Sequence, residues 1–313
     1  MEKKNNWKAW LYLAPALILM GLFTFFPIIN TFVTSFLKDY NYITGANEGF
    51  TFENYGIILG ITENVAGIAE SRNYTFIRYA LPNTLIITFI TVPISVALSL
   101  LIALCLNRIK VFRSFFQTIF FLPYVTNTIA VGMVFSLMFS NTGIINSIFG
   151  LGNMNWIQTG AGASYGRSMF VLCLYVIWNA LPYKILIFAS GLQSIDQQYY
   201  DAARIDGASK FKTDMKITLP LLSPQILYIS ITSFISGFKE YNAVVGLFNR
   251  SYTADANTND LYTVVYYIYD QIRGTNGTRK IALASAGAVI LFVIIFILTL
   301  IQMQVSKKRV HYS

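Results

Sequence analysis

Two short stretches put titratable, amide and aromatic side chains into otherwise apolar sequence. They are Trp178-Asn179-Ala180-Leu181-Pro182-Tyr183-Lys184 and Phe238-Lys239-Glu240-Tyr241-Asn242. An ionisable group inside a hydrophobic run is expensive, and it is retained where it faces a cavity or a partner. Rings beside amides and hydroxyls suit a sugar: flat CH faces stack on the rings, and fixed donors and acceptors bind the hydroxyls. Other readings stay open, because Tyr and Trp also anchor spans at the membrane interface. Lys239 could also pair with Glu240 or with an acidic partner chain. Pro182 removes a backbone hydrogen bond and predicts a kink.

No catalytic set accompanies these residues. Gly162-Ala163-Ser164-Tyr165-Gly166 fits the hydrolase pattern G-x-S-x-G, but that motif needs a strand-to-helix turn and a histidine partner. The single histidine, His311, is in the far tail. Cys105 and Cys173 form no C-x-x-C, so neither a disulfide framework nor a metal site is expected. Sequons at Asn73, Asn249 and Asn276 recur by chance. The expectation is a non-enzyme with no catalytic and no metal-binding residue.

A third stretch is polar throughout and suited to gripping a partner: Tyr200-Asp201-Ala202-Ala203-Arg204-Ile205-Asp206-Gly207-Ala208-Ser209, with Ile217-Thr218-Leu219-Pro220 following. The pattern predicts a short helix over 197–206, ended by Gly207 in a left-handed conformation. Ser209 is predicted to cap a second helix, with Phe211, Met215 and Leu219 on one face at i, i+4 and i+8. Pro220 is predicted to stop that helix.

The elements around these stretches are membrane spans. The 313 residues are 55% hydrophobic and 12% charged, with mean hydropathy +0.54. Soluble domains carry about a quarter charged residues. Six runs long enough to cross a bilayer fall at about 10–36, 79–106, 114–139, 168–192, 221–247 and 281–304. The first, preceded by Lys3, Lys4 and Lys8, is too long for a signal-peptide core and is expected to remain as an anchored span. Thirteen Lys and Arg residues fall in the segments that are cytoplasmic if the N-terminus is inside, and eight in the longer outer loops. That bias predicts both termini and the 195–220 loop in the cytoplasm. The net charge of +9 is therefore a topology signal, with no nucleic-acid partner expected. Ala284 and Ala288 have small-xxx-small spacing, read as ordinary helix packing. No G-x-x-x-x-G-K-[ST] phosphate loop occurs, so ATP and Mg, if used, belong to another chain.

The 195–220 loop resembles the "EAA" coupling loop of ABC-importer permeases: E-A-A, three positions, Gly, nine positions, then I-x-L-P. Asp201 stands in place of Glu, while Ala202, Ala203, Gly207, Ile217, Leu219 and Pro220 match. Nearly the whole chain is similar to six-span sugar permeases of the maltose and glycerol-phosphate importer class. The likeness includes Trp10 to Ala16, Phe52-Glu53-Asn54-Tyr55, Asn83-Thr84, Phe121-Leu122-Pro123 and Gly191 to Ile195. The resemblance implies an all-α membrane protein in one domain spanning 1–313, the type I ABC importer permease fold, multi-pass in a bacterial cell membrane. It implies a coupling surface of Asp201, Ala202, Ala203, Asp206, Gly207, Phe211 and Met215. It also implies sugar contacts at Trp178, Asn179, Ala180, Tyr183, Phe238, Lys239 and Asn242, with Ala180 where the maltose permease has Gly and Lys239 where it has Asn. Implied partners are a second permease chain, two ATPase subunits carrying ATP and Mg, an extracytoplasmic solute-binding protein, membrane lipid and a carbohydrate. The alternatives are a polyol, glycerol-phosphate or acidic sugar as cargo. More remote is an ion-driven carrier, which usually shows paired repeats and intramembrane acids.

Overall fold

The computed structural model describes residues 6–61, 75–109, 113–157, 164–248, 261–274 and 279–306. Gly162, Ala163, His311 and the asparagines of the three sequons lie outside the described residues. Helices account for the regular structure, apart from one isolated antiparallel bridge between Leu37 and Phe50.

Two compact units are formed, the first by Met1–Ile77 with Tyr267–Val293. Its leading helix, α1 (Lys8–Thr34), is apolar along its length, and none of its most hydrophobic window is buried within the chain. After it, Phe36 stacks on Phe50 with ring centroids 5.1 Å apart and meets Phe52 edge-on at 5.4 Å. This knot holds α2 (Glu53–Leu59), whose Asn54 donates to the carbonyls of Ser35 (3.0 Å) and Leu37 (2.9 Å). Gly287 is buried where a Cβ would lie 3.4 Å from Ile268 Cγ1. The small residues of the last apolar run serve packing within the chain here, as their spacing suggests.

The second unit, Arg78–Tyr266 with Ile294–Ser313, holds the residues of functional interest. Its frame is α3 (Phe76–Arg108) packed along α7 (Tyr165–Ser194). Along α3 the buried hydroxyl residues Thr84, Thr88, Thr91, Ser95 and Ser99 form one stripe at helical spacing. The hydroxyls of Thr84 and Ser99 turn back onto the preceding turn, to Ala80 O at 2.7 Å and to Val96 O at 3.0 Å, so these two are satisfied within the helix itself. Between them run α4 (Arg113–Val125), α5 (Thr128–Met138) and the short α6 (Ile144–Phe149). After α7 come α8 (Gln197–Ile205), α9 (Lys210–Leu221), α10 (Ser223–Phe238) and α11 (Asn242–Phe248). Ala103, Phe188, Leu192, Leu222 and Ile229 form the buried cluster that joins α3, α7 and α10. The chain further includes α12 (Val264–Arg273) and α13 (Ile281–Ser306).

Among the described residues, four helices (α1, α3, α7 and α13) are long and apolar enough to cross a membrane, or up to six if each bent pair counts as one span. The runs expected over 114–139 and 221–247 are each divided between two helices. In the first, α4 and α5 meet at 98°. There Thr126 Oγ1 donates to Pro123 O at 2.7 Å, and Asn127 caps α5 by accepting from Ile129 N at 2.9 Å. In the second, α10 stops at Phe238 and α11 starts at Asn242. Pro220 does not end α9 either. A π-turn over Asp214–Thr218 ahead of it already changes the hydrogen-bond register, so the missing N–H is tolerated. The chain bends by 66° only beyond Leu221. The α7 helix likewise runs uninterrupted through Pro182.

Candidate functional site

Helices α3, α7 and α10, with the α4–α5 bend, enclose a cavity of about 460 Å³. That volume lies within the range of about 300–1,000 Å³ typical of small-molecule sites. From α7 come Val176, Asn179, Ala180 and Tyr183 at i, i+3, i+4 and i+7, one face of a helix. Thr91 and Ser95 of the α3 hydroxyl stripe form a second wall, and Thr232, Ser233 and Ser236 of α10 a third. The bend supplies Tyr124, which stacks on Tyr183 with centroids 5.9 Å apart and planes 19° apart. Tyr183 also shares a hydrogen bond with Tyr228 at 3.2 Å between the hydroxyls. Rings, an amide and hydroxyls thus face one space.

Two charged side chains line the same cavity, Lys184 and Glu240. The Lys184 ammonium donates to Ser95 Oγ, tying α7 to α3. Glu240 sits in the break between α10 and α11, where its Oε1 accepts from Ala243 N at 2.9 Å. Its backbone carbonyl accepts from Thr263 Oγ1 at 2.8 Å.

Of the residues singled out in the sequence, Asn179, Ala180 and Tyr183 come together in the cavity lining. The other four sit elsewhere. Trp178 packs its indole on Phe135, 5.2 Å between centroids, and on Tyr175. Phe238 is buried beside Phe89. Lys239 closes the end of α10, and both it and Asn242 are exposed. Ser95, Tyr124, Lys184 and Glu240 join them in the lining. The signals for them were a charged residue in each apolar run and the Pro123-Tyr124-Val125-Thr126-Asn127 bend.

The polar loop forms a second surface. Gly207 has φ +67°, and the N–H of Ala208 returns to Ala203 O at 2.9 Å, closing α8 as its sequence predicts. Ser209 caps α9 by accepting from Lys212 N. Asp201 pairs with Arg204 at 3.6 Å and accepts from Gln197, Asp206 ends α8, Ala202 is exposed, and Ala203 is buried. Phe211 and Met215 are 71% and 48% exposed, and Ile205 is 87% exposed. Ile205 was not singled out in the sequence, although it is the apolar residue at the end of α8. An ion pair between Arg108 and Asp214 fastens the end of α3 to α9.

A Cβ on Gly207 would meet nothing within 4 Å. Gly207→Val is therefore expected to act through φ alone, at a cost of about 1–2 kcal/mol. Hydrogen-exchange protection across the α8–α9 turn should fall in Gly207→Val and largely persist in Gly207→Asn, which tolerates positive φ. Equal loss in both variants, measured on assembled protein, would assign the effect to side-chain size.

Comparison with known proteins places this geometry. Residues 95–311 match the family model described as binding-protein-dependent transport system inner membrane component. The chain is 31% identical over 306 residues to the arabinooligosaccharides transport system permease protein AraP of Bacillus subtilis (strain 168), covering 95% of this chain and 88% of that one. It is 29% identical to the multiple sugar-binding transport system permease protein MsmF of Streptococcus mutans serotype c, covering 97% of each. A crystal structure of a bacterial ABC transporter for import of the acidic polysaccharide alginate contains a chain that superposes with TM-score 0.77. The two chains are 20% identical, and 97% of this chain and 96% of that one are covered, a likeness of fold.

Proposed function

The chain belongs to the family of binding-protein-dependent transport system inner membrane components, and from that premise we propose that it forms half of the translocation pathway of an ATP-driven importer of oligosaccharides. The observation that carries the reading is the cavity, where Tyr124, Tyr183 and Asn179 face one space with a row of hydroxyls. Relatives whose names refer to arabinooligosaccharides and multiple sugars support the cargo class. The two bent pairs serve as two further spans, for six in all, with both termini and the α8–α9 loop in the cytoplasm. A second permease chain completes the pathway. Two ATPase subunits hold ATP and Mg and seat α8 and α9, and an extracytoplasmic binding protein delivers the ligand.

On this reading, ATP-driven closure of the ATPase pair pulls on α8 and α9. Arg108 and Asp214 pass that motion to α3, which forms one wall of the cavity. The cavity opens outward, takes the sugar and returns it to the cytoplasmic side after hydrolysis. Any such shift requires the ligand to bind the two states unequally. Reconstitution with the ATPase and binding protein tests the proposal through uptake of radiolabelled arabinotriose and maltotriose. Tyr183→Ala and Asn179→Ala are expected to lower uptake by roughly tenfold each, as expected for losing a ring face or a bidentate amide, with the complex still assembled. Wild-type uptake in both variants would remove the cavity from the route.

A further inference from the structure

Lys184 and Glu240 are the two charged residues lining the cavity. Lys184 is 5% exposed, and its ammonium, with three hydrogens to donate, is bonded to Ser95 Oγ. None of the ion pairs among the described residues includes either side chain. Opposite charges are thus held on separate walls, Lys184 by α7 and Glu240 by the α10–α11 break, without neutralising each other through contact. Buried charges need hydrogen-bonding partners, and a bound molecule can supply them.

The formal charges of the lining sum to zero. A sugar hydroxyl can accept from the Lys184 ammonium, and another can donate to the Glu240 carboxylate, so a neutral glycosyl unit satisfies both. A uronate gains Lys184 but brings a second carboxylate into a cavity that already holds Glu240, and like charges brought together in a desolvated site repel. We propose that Lys184 and Glu240 are the specificity-determining residues of this cavity, clasping the hydroxyls of a neutral glycosyl unit and turning away uronate-bearing oligosaccharides. The inference rests on the importer reading above and narrows it to neutral cargo. The structural relative that imports an acidic polysaccharide shares the fold, and the charge balance here assigns this chain to a different ligand class.

The test is equilibrium binding to the assembled importer in lipid nanodiscs, without its binding protein, so that the permease cavity alone selects. The probes are radiolabelled arabinotriose and maltotriose against trigalacturonate and a mannuronate trisaccharide. Wild type is expected to bind at least one neutral trisaccharide roughly tenfold or more tightly than either acidic one. Glu240→Gln should narrow that preference by roughly tenfold, and Lys184→Gln should weaken neutral binding without admitting the acidic sugars. Equal binding of acidic and neutral sugars by wild type would overturn the inference, and so would an unchanged ratio in an assembled Glu240→Gln importer. Binding of none of the four by an importer whose ATPase responds to carbohydrate would also overturn it. If a variant does not assemble, the wild-type comparison decides. An importer whose ATPase responds to no carbohydrate with its binding protein present would instead defeat the proposed function itself.

Discussion

Replacing Phe211 and Met215 together by Asp is expected to release the ATPase from the detergent-purified importer while the permease helices stay folded. The two side chains are four residues apart on α9, hence on one face, and both are exposed. Phe211 is mostly exposed and Met215 about half, so the substitution is expected to leave the fold intact and to remove a docking surface. Burying two side chains of this size in a partner groove stabilises the complex by about 4 kcal/mol, roughly a thousandfold in affinity. Ile205, more exposed than either, is expected to belong to the same surface. Purification of the variant with tagged ATPase measures the outcome directly. Retention at wild-type stoichiometry would show that α9 faces something else.

Replacing Gly132 by Leu should force α5 and α11 apart and destabilise the second unit. A Cβ at Gly132 would lie 2.8 Å from Gly246 Cα and 3.0 Å from its carbonyl carbon, so α5 and α11 touch backbone to backbone. The obstruction is main chain on both sides, since a Cβ at Gly246 would in turn lie 3.0 Å from Ile129 O. No rotamer change relieves it, and the helices must separate. Overpacking of this kind costs about 3 kcal/mol or more, and close approach is the main source of helix affinity in a membrane. Gly132→Ala should fall between wild type and Gly132→Leu. Thermal melting of the importer followed by size exclusion ranks the three, and identical midpoints would show that α5 and α11 slide apart freely. The cavity should suffer too, because Thr128 of α5 and Ala243 of α11 both line it.

Elements specified by local chemistry are legible in the order of residues itself. The long apolar runs give α1, α3, α7 and α13 because a helix satisfies its own backbone wherever water is absent. Gly207 and Ser209 act within a few residues of themselves, as a left-handed helix end and as a cap, so the α8–Gly207–α9 turn follows from sequence alone. The same holds for family membership, which rests on the match of residues 95–311 to the family model. Local signals are also present at the α4–α5 bend. Asn127 after Pro123 is an N-cap signature, and the chain turns there by 98°.

What sequence could not decide was helix phase relative to neighbours. Lys239 and Glu240 are adjacent just beyond Phe238, the last residue of α10, so no helical period fixes where either side chain points. Only the docking of α10 against α3 and α7 turns Glu240 into the cavity and leaves Lys239 exposed. Trp178 and Asn179 part in the same way, one onto Phe135 and the other into the lining. The meeting of Gly132 with Gly246 lies in a contact between helices more than a hundred residues apart in the chain. Periodicity names the face of each helix, but only packing chooses which face meets which, because burial is a property of the assembled helices and not of any one of them.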